Sequence, residues 1–223
     1  MIAVIIPAAG SGSRLGGLPK QLRHLGNAPL LLQTALVFDR HPDISCFVVV
    51  GPPDALDTVK EILIPLDKPY QVVPGGATRQ DSVRAGLDVL DESIEVVLIH
   101  DAARPFISGE VITDVIDSTK AYGAAAAALP ITDTVRYGKD GCFTTTISRE
   151  NLYAMQTPQG FRHEILRKAF RQAEDVSKST DDVELVYPIG QTVQIVHGER
   201  TNIKITTQSD WDWASKVWKK EGE

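Results

Sequence analysis

The sequence predicts an α/β fold, doubly wound around a mostly parallel sheet, with a β-hairpin arm protruding from it. Three observations carry that expectation. Short β-branched apolar runs alternate with helically spaced segments along most of the 223 residues. Those runs are apolar throughout rather than alternating, as strands buried on both faces are. Near residue 135 the alternation gives way to two strand-like segments around a glycine-bearing turn.

Met1–Pro7 is β-branched and apolar, leads into Gly and Ser, and reads as the first strand. Residues 8–20 form a Gly-rich loop. Helical spacing runs from about Pro29 to Arg40, with Asn27 as its candidate cap. Cys46–Pro53 reads as a second strand and its stop, about Asp54–Leu63 as a helix, and Tyr70–Gly76 as a short strand ending in a glycine pair. Asp81–Leu90 reads as a helix capped by its own first residue. "EVVLIH" is a strand ending at His100, and a helix follows from about Ser108 to Tyr122. "GAAAAALP" has a helical composition. It stands between a helix and a proline, where the alternation requires a strand, and is read as one. "DTVRYGKDGCFTTTI" is the hairpin, turning at Gly138–Gly141. Helices at about His163–Ala173 and Asp181–Tyr187 come next. Strands "TVQIVHG" and "NIKIT" and a closing helix from about Gln208 to Lys219 complete the chain. The expected architecture is a Rossmann-like sheet in one domain over residues 1–223, with the arm at about residues 133–155.

Composition narrows the function. With 43% hydrophobic and 23% charged residues, the chain suits one compact core rather than disorder. A net charge of −6 argues against binding long nucleic acid, which calls for a basic face. Small anions remain accessible wherever positive charge is gathered locally. Cys46 and Cys142 make neither a zinc pattern nor a disulfide framework, as in a reducing compartment. The apolar N-terminus is too short for a membrane span and has no basic leader. The expectation is a cytoplasmic protein with no membrane or nucleic-acid partner.

In open α/β sheets ligands bind beyond the carboxyl ends of the strands, and four polar clusters follow strands here. The first is "PAAGSGSRLGGLPKQ". Pro7, Ala8, Ala9, Gly10, Ser11 and Gly12 bring little side chain, so backbone N–H groups can approach phosphate oxygens. Arg14 and Lys20 add charge. The loop lacks the Gly-Lys-Ser/Thr ending of a P-loop. Leu15 stands where a dinucleotide fingerprint needs its third glycine, and Gly51 with two prolines stands where an acid is wanted. Both observations argue against a nicotinamide-dependent oxidoreductase. The second cluster, "PGGATRQDSV", offers Gly76, Arg79 and Ser82 for base or ribose contact, or else a turn and a cap. The third, "HDAARP", ends a strand with Asp101. A carboxylate there suits Mg²⁺ shared with substrate phosphates, with Ala102 and Arg104 beside it; the plainer alternative is an Asp–Arg structural pair. His100 reads as a histidine packed at a strand end. The fourth cluster is dispersed: Thr134, Arg149, "QTPQGF", "STDD" (Thr180 a candidate cap) and Lys204 in "NIKIT".

These parts suit phosphoryl chemistry of one kind. A phosphate monoester attacking the α-phosphorus of a nucleoside triphosphate is already an anion, so no side-chain nucleophile is needed. What is needed is alignment of two polyanions, supplied by cations, backbone N–H groups and Mg²⁺.

The motifs "PAAGSGSRLGGLPKQ", "GGATRQDSV", "HDAARP", "LPITDTV", "SRENLYAMQTPQGF", "STDD" and "NIKIT" resemble, in this order, those of the 2-C-methyl-D-erythritol 4-phosphate cytidylyltransferase family. The resemblance runs from Ile2 to about Lys219. It implies a reaction of CTP with methylerythritol 4-phosphate in non-mevalonate isoprenoid biosynthesis, with Mg²⁺ and release of pyrophosphate. Arg14 and Lys20 would bind the triphosphate and stabilise the pentacoordinate transition state. The loop from Ala8 to Gly12, with Gly76 and Ser82, would hold the cytidine, and Asp101 the metal. Arg104, Thr134, Arg149 and Lys204 would hold the polyol phosphate. The resemblance also implies a homodimer with exchanged arms, Thr134 and Arg149 serving the partner's pocket. Ribitol 5-phosphate cytidylyltransferases share the loop chemistry and are the alternative in substrate. A non-catalytic nucleotide-binding module is the alternative in class.

Overall fold

The computed structural model describes residues 1–10, 19–173, 175–176 and 179–221, the last three by backbone alone. In chain order its elements are β1 (Ile2–Pro7), β2 (His24–Leu25), β3 (Ala28–Pro29), α1 (Leu30–Asp39), β4 (Cys46–Gly51), α2 (Leu56–Leu63), β5 (Tyr70–Pro74), α3 (Arg79–Asp88), β6 (Val96–Ile99), α4 (Gly109–Tyr122), β7 (Ala124–Pro130), β8 (Val135–Lys139), β9 (Cys142–Ile147), β10 (Tyr153–Arg162), α5 (His163–Gln172), α6 (Asp182–Val186), β11 (Gln194–His197) and α7 (Gln208–Glu221). Seven strands form one sheet in the order β11-β7-β10-β6-β1-β4-β5. Only β10 runs antiparallel to its neighbours β6 and β7; the other pairings are parallel.

Period-two alternation explains why the strands read as continuous apolar runs. Ile2, Val4 and Ile6 of β1 join one core cluster with Leu31 and Phe38 of α1 and Ile112 and Ile116 of α4. Ala3 and Ile5 face the other way, onto Val83 and Leu87 of α3 and Leu166 of α5. Both faces of the sheet are thus covered, so β1 is apolar on both sides. Residues 124–128 form the β-strand that the alternation required, all five alanines being buried. Burial between layers outweighs alanine's helical preference.

Several boundaries differ from the sequence reading. α3 begins at Arg79 rather than Asp81. Its N-cap is Thr78, and Asp81 closes a capping box from three residues inside. Asn27 is not the cap of α1: Pro29 is, and Asn27 accepts a hydrogen bond from Gln33 at 3.0 Å. α6 is capped by Asp181 rather than Thr180. "NIKIT" is not a strand; residues 202–206 run without regular structure across the carboxyl ends of the sheet. The long strand β10, unassigned in the sequence, forms between β6 and β7. The hairpin β8–β9 turns on Asp140 and Gly141, with φ of 51° and 80°, the left-handed pair a two-residue connection requires. It forms its own two-stranded sheet, with Tyr137 and Phe143 exposed. Among the described residues no helix is long and apolar enough to cross a membrane.

Candidate active site

From β1 the sheet extends through β4 to β5, and the chain then returns to place β6 on the other side of β1. Loops leaving β1 and β6 diverge at this switch point and open a crevice. A cleft of about 600 Å³ lies there, lined by Pro7–Gly10 after β1, Gly76–Arg79 and Ser82 after β5, Asp101–Ala103 after β6, and Lys20, Gln21, Lys204 and Thr206. Pro7, Ala8, Ala9, Gly10, Lys20, Gly76, Arg79, Ser82, Asp101, Ala102 and Lys204 therefore come together, although they are drawn from four separated stretches of chain. Ser11, Gly12 and Arg14 lie outside the described residues.

Asp101 is the electrostatic focus and the one carboxylate among the lining residues. Lys204 Nζ stands 3.0 Å from its Oδ2, Arg104 Nε 3.2 Å from the same oxygen, and Arg79 Nε 3.4 Å from Oδ1. Burial alone would push this carboxyl up; Lys204, Arg79 and Arg104 overcome it and hold the group well below the usual carboxylate range. The Asp101 N–H donates to Thr157 Oγ1 at 3.1 Å, which fixes the backbone at the end of β6.

Both arginines are themselves held. Arg79 reaches back to Asp182 at 2.8 Å. Burial of Arg79 works against its charge, but Asp182 and Asp101 more than compensate and strengthen it. Complete burial pushes the Asp182 carboxyl up against the pull of Arg79. Arg104 is buried behind Asp101, donating to the carbonyls of Asn202 at 2.8 Å and Met155 at 3.4 Å. Within one chain it forms an Asp–Arg pair rather than part of the cleft wall. Lys20 Nζ donates to the Ile205 carbonyl at 2.7 Å. His100 is completely buried, bonded to the Arg104 carbonyl and Thr157, each at 3.0 Å. Desolvation holds its pKa down at about 4, so it stays a neutral packed histidine.

Thr134 and Arg149 do not reach this cleft. Both are exposed on the arm, where Arg149 donates to the Thr132 carbonyl.

Sequence reasoning missed the residues that hold the site together. β10 bulges between Met155 and Gln159, the stretch that carries the buried Gln156 and Thr157. Gln156 and Thr157 bind Asn202, whose Nδ2 donates to Gln156 Oε1 at 3.2 Å and the Thr157 carbonyl at 2.8 Å. That contact seats the segment carrying Lys204. Gln159 receives the N–H groups of Asp182 and Val183 at 3.0 and 3.2 Å and so anchors α6 under Arg79. The available signal was "QTPQGF": proline and glycine inside a strand mark a bulge or a close approach.

One carboxylate beside a crevice of about 600 Å³ fits a Mg²⁺ that draws its remaining ligands from substrate phosphates and water. It does not fit a dedicated protein cage. Among the described residues no group of three or more His, Cys, Asp or Glu could hold a metal.

Comparison with known proteins identifies the family. The model of the 2-C-methyl-D-erythritol 4-phosphate cytidylyltransferase family matches residues 2–220. The protein of that name from Salinibacter ruber is 45% identical, the alignment covering 97% of this chain and 92% of that one. A bifunctional IspD/IspF enzyme from Desulfotalea psychrophila is 41% identical over 93% of this chain but only 54% of its own length. Among solved structures, 4-diphosphocytidyl-2C-methyl-D-erythritol synthase from Anaerococcus prevotii superposes with a TM-score of 0.85 at 33% identity, covering 98% of this chain and 96% of that chain. With a family model matched over residues 2–220 and relatives similar over nearly the full length, the chain belongs to the 2-C-methyl-D-erythritol 4-phosphate cytidylyltransferase family.

Proposed function

We propose that the chain catalyses attack of the phosphate of 2-C-methyl-D-erythritol 4-phosphate on the α-phosphorus of CTP. An oxygen of the monoester forms the new P–O bond, the bond between the α-phosphorus and the bridging oxygen breaks, and pyrophosphate leaves. The product is the CDP-alcohol of non-mevalonate isoprenoid biosynthesis. The observation that carries this reading is the convergence of Lys20, Lys204 and Asp101 with the bare backbone of residues 8–10 in one crevice of a chain belonging to this family.

In this reading Lys20 and Arg14 neutralise the triphosphate and the charge that builds on it. Gly76, Arg79, Ser82 and Ala102 surround the nucleoside. Lys204 lies against Asp101 and turns to the incoming monoester once nucleotide is present. Asp101 would hold Mg²⁺, which would supply further neutralisation of phosphate charge. Positioning and electrostatics suffice because the nucleophile is ionised at neutral pH.

The active species in this proposal is a homodimer with exchanged arms. Two observations support it: the arm exposes Tyr137 at 64% and Phe143 at 82%, and Thr134 and Arg149 stand away from their own cleft. The cytoplasm is the proposed location, consistent with free thiols at Cys46 and Cys142. A pyrophosphate-release assay over four nucleoside triphosphates, crossed with methylerythritol and ribitol phosphates, tests the reaction. CTP with methylerythritol phosphate should dominate in kcat/KM. Faster turnover with ribitol phosphate would overturn the substrate, and absence of turnover in every combination the activity.

A further inference from the structure

The motif "PKQ" contributes Lys20 to the cleft and leaves Gln21 without a role. Gln21 is nevertheless among the most thoroughly buried polar residues beside the site, at 3% exposure. Its Nε2 donates to the Ala8 carbonyl at 2.7 Å and the Gly10 carbonyl at 2.9 Å. Both amide protons are thereby used, and the orientation of the side chain follows: flipped, its oxygen would face two other oxygens.

The local fold explains how Gln21 gets there. Pro19 caps a single 3₁₀ turn, Lys20–Leu22. In such a turn neighbouring side chains diverge by about 120°. Lys20 is sent across to the Ile205 carbonyl, and Gln21 back to the loop after β1.

Two further contacts fix the same loop. The Ala8 N–H donates to the Val50 carbonyl at 2.7 Å. Ala9 is pressed against Gly75, where an added Cβ would stand 2.2 Å from the Ala9 Cβ. The peptide joining Ala8 to Ala9 is planar and trans, so the Ala9 N–H points opposite to the Ala8 carbonyl. With that carbonyl held by Gln21, the N–H is aimed away from Gln21. The Gly10 carbonyl is occupied in the same way. With the Ala8 N–H bonded to Val50 and the carbonyls of Ala8 and Gly10 occupied by Gln21, the Ala9 N–H is the donor the loop offers an incoming polyanion.

We propose that Gln21 is a positioning residue for the nucleoside triphosphate: it withdraws the carbonyls of Ala8 and Gly10 so that the Ala9 amide faces the nucleotide. Gln21 touches no reacting atom. The inference rests on the nucleotidyl-transfer reading above.

The test uses Gln21→Glu, which cannot donate two hydrogen bonds, and Gln21→Met, which keeps the volume without any donor. CTP binding is followed by titration calorimetry, KM for both substrates by pyrophosphate release, and folding by thermal unfolding. CTP affinity should fall about tenfold or more in Gln21→Glu and less in Gln21→Met. KM for the polyol phosphate should stay within about twofold, because that substrate does not meet this loop. Folded variants that bind CTP as the parent does overturn the proposal, and so does a parallel rise of both KM values, which marks a general structural role. On the unaltered protein, CTP should shift the Ala9 amide resonance and slow its hydrogen exchange; an unchanged Ala9 amide at saturating CTP overturns the proposal whether or not the variants fold. Parent protein that does not bind CTP at all refutes the functional reading instead.

Discussion

The sheet carries a cleft at each end. One, of about 600 Å³, lies beyond the carboxyl ends of β1, β5 and β6. The other, of about 670 Å³, lies at the opposite end, where Ile94 and Val96 enter β6 and Arg162 and His163 begin α5. Both are charged and similar in size, so neither volume nor charge content distinguishes them. The difference is convergence. In the second cleft Glu92, Glu95 and Glu164 are interspersed with Lys120, Arg162, Arg167 and Arg171, an arrangement with no common focus. In the first, three cations meet on one buried carboxylate, and glycines leave backbone accessible. Catalytic capacity follows from polar groups aimed at one point, and only the first cleft has such a point.

The comparison can be broken by mutation at either end. The largest effect is expected at Asp101. Asp101→Asn leaves Arg79, Arg104 and Lys204 without their shared counter-charge. It should cost about 3–5 kcal/mol in urea unfolding, as when one partner of a buried ion pair is removed, and abolish turnover. Glu164→Gln, in the other cleft, should change stability by no more than about 0.5 kcal/mol. Equal losses at the two ends would remove the distinction.

Next comes Lys20→Ala. Loss of a preorganised charge-stabilising donor should lower kcat about 10²–10³-fold with the fold retained, measured by pyrophosphate release and circular dichroism. Arg167→Ala should stay within about twofold of the parent. A non-catalytic nucleotide-binding module would have no turnover to lose.

Gly10→Ala is a smaller and sharper probe. Among the described residues nothing beyond its chain neighbours stands within 4 Å of a Cβ at Gly10, so thermal stability should hold or rise slightly. If the loop meets nucleotide, KM for CTP should still rise about tenfold, as close approach of the backbone is lost. Unchanged KM would show that the space at Gly10 is not used by the ligand.

The pH dependence of stability is the mildest test and involves both ends. Burial lowers the pKa of His100, to about 4, and that of His163. The unfolded state therefore takes up protons first as pH falls. Stability contributed by these neutral histidines is complete above about 6.5, the unfolded value. It is lost as pH drops toward their folded values. Urea midpoints at pH 7.5 and 5 should show the decline, and His163→Gln should reduce it. A midpoint unchanged across that range in the parent contradicts the assignment.

Much of this was legible in the sequence because it is local. The β-branched runs, the Pro and Gly stops and the hairpin turn each depend on neighbours a few residues away. "GAAAAALP" was readable as a strand only through its place in the alternation. β10 was not readable, because Pro158 and Gly160 argue against a strand, and a bulge beside a functional site is where such residues are tolerated. "NIKIT" alternates like a strand, yet Asn202 is claimed by Gln156 and Thr157 and the Ile205 N–H by the Ala103 carbonyl, so its backbone joins no ladder.

The sequence by itself determined the layered α/β architecture and the loops that carry charge, since hydrophobic period and turn chemistry are short-range properties. Only the tertiary structure decided which charges meet. Lys204 reaches Asp101, Arg79 reaches Asp182 and Asn202 supports Arg104 across about a hundred positions of chain. No local rule specifies such pairings; they exist because sheet order brings distant strand ends to one rim, where burying each charge is tolerable only beside its partner.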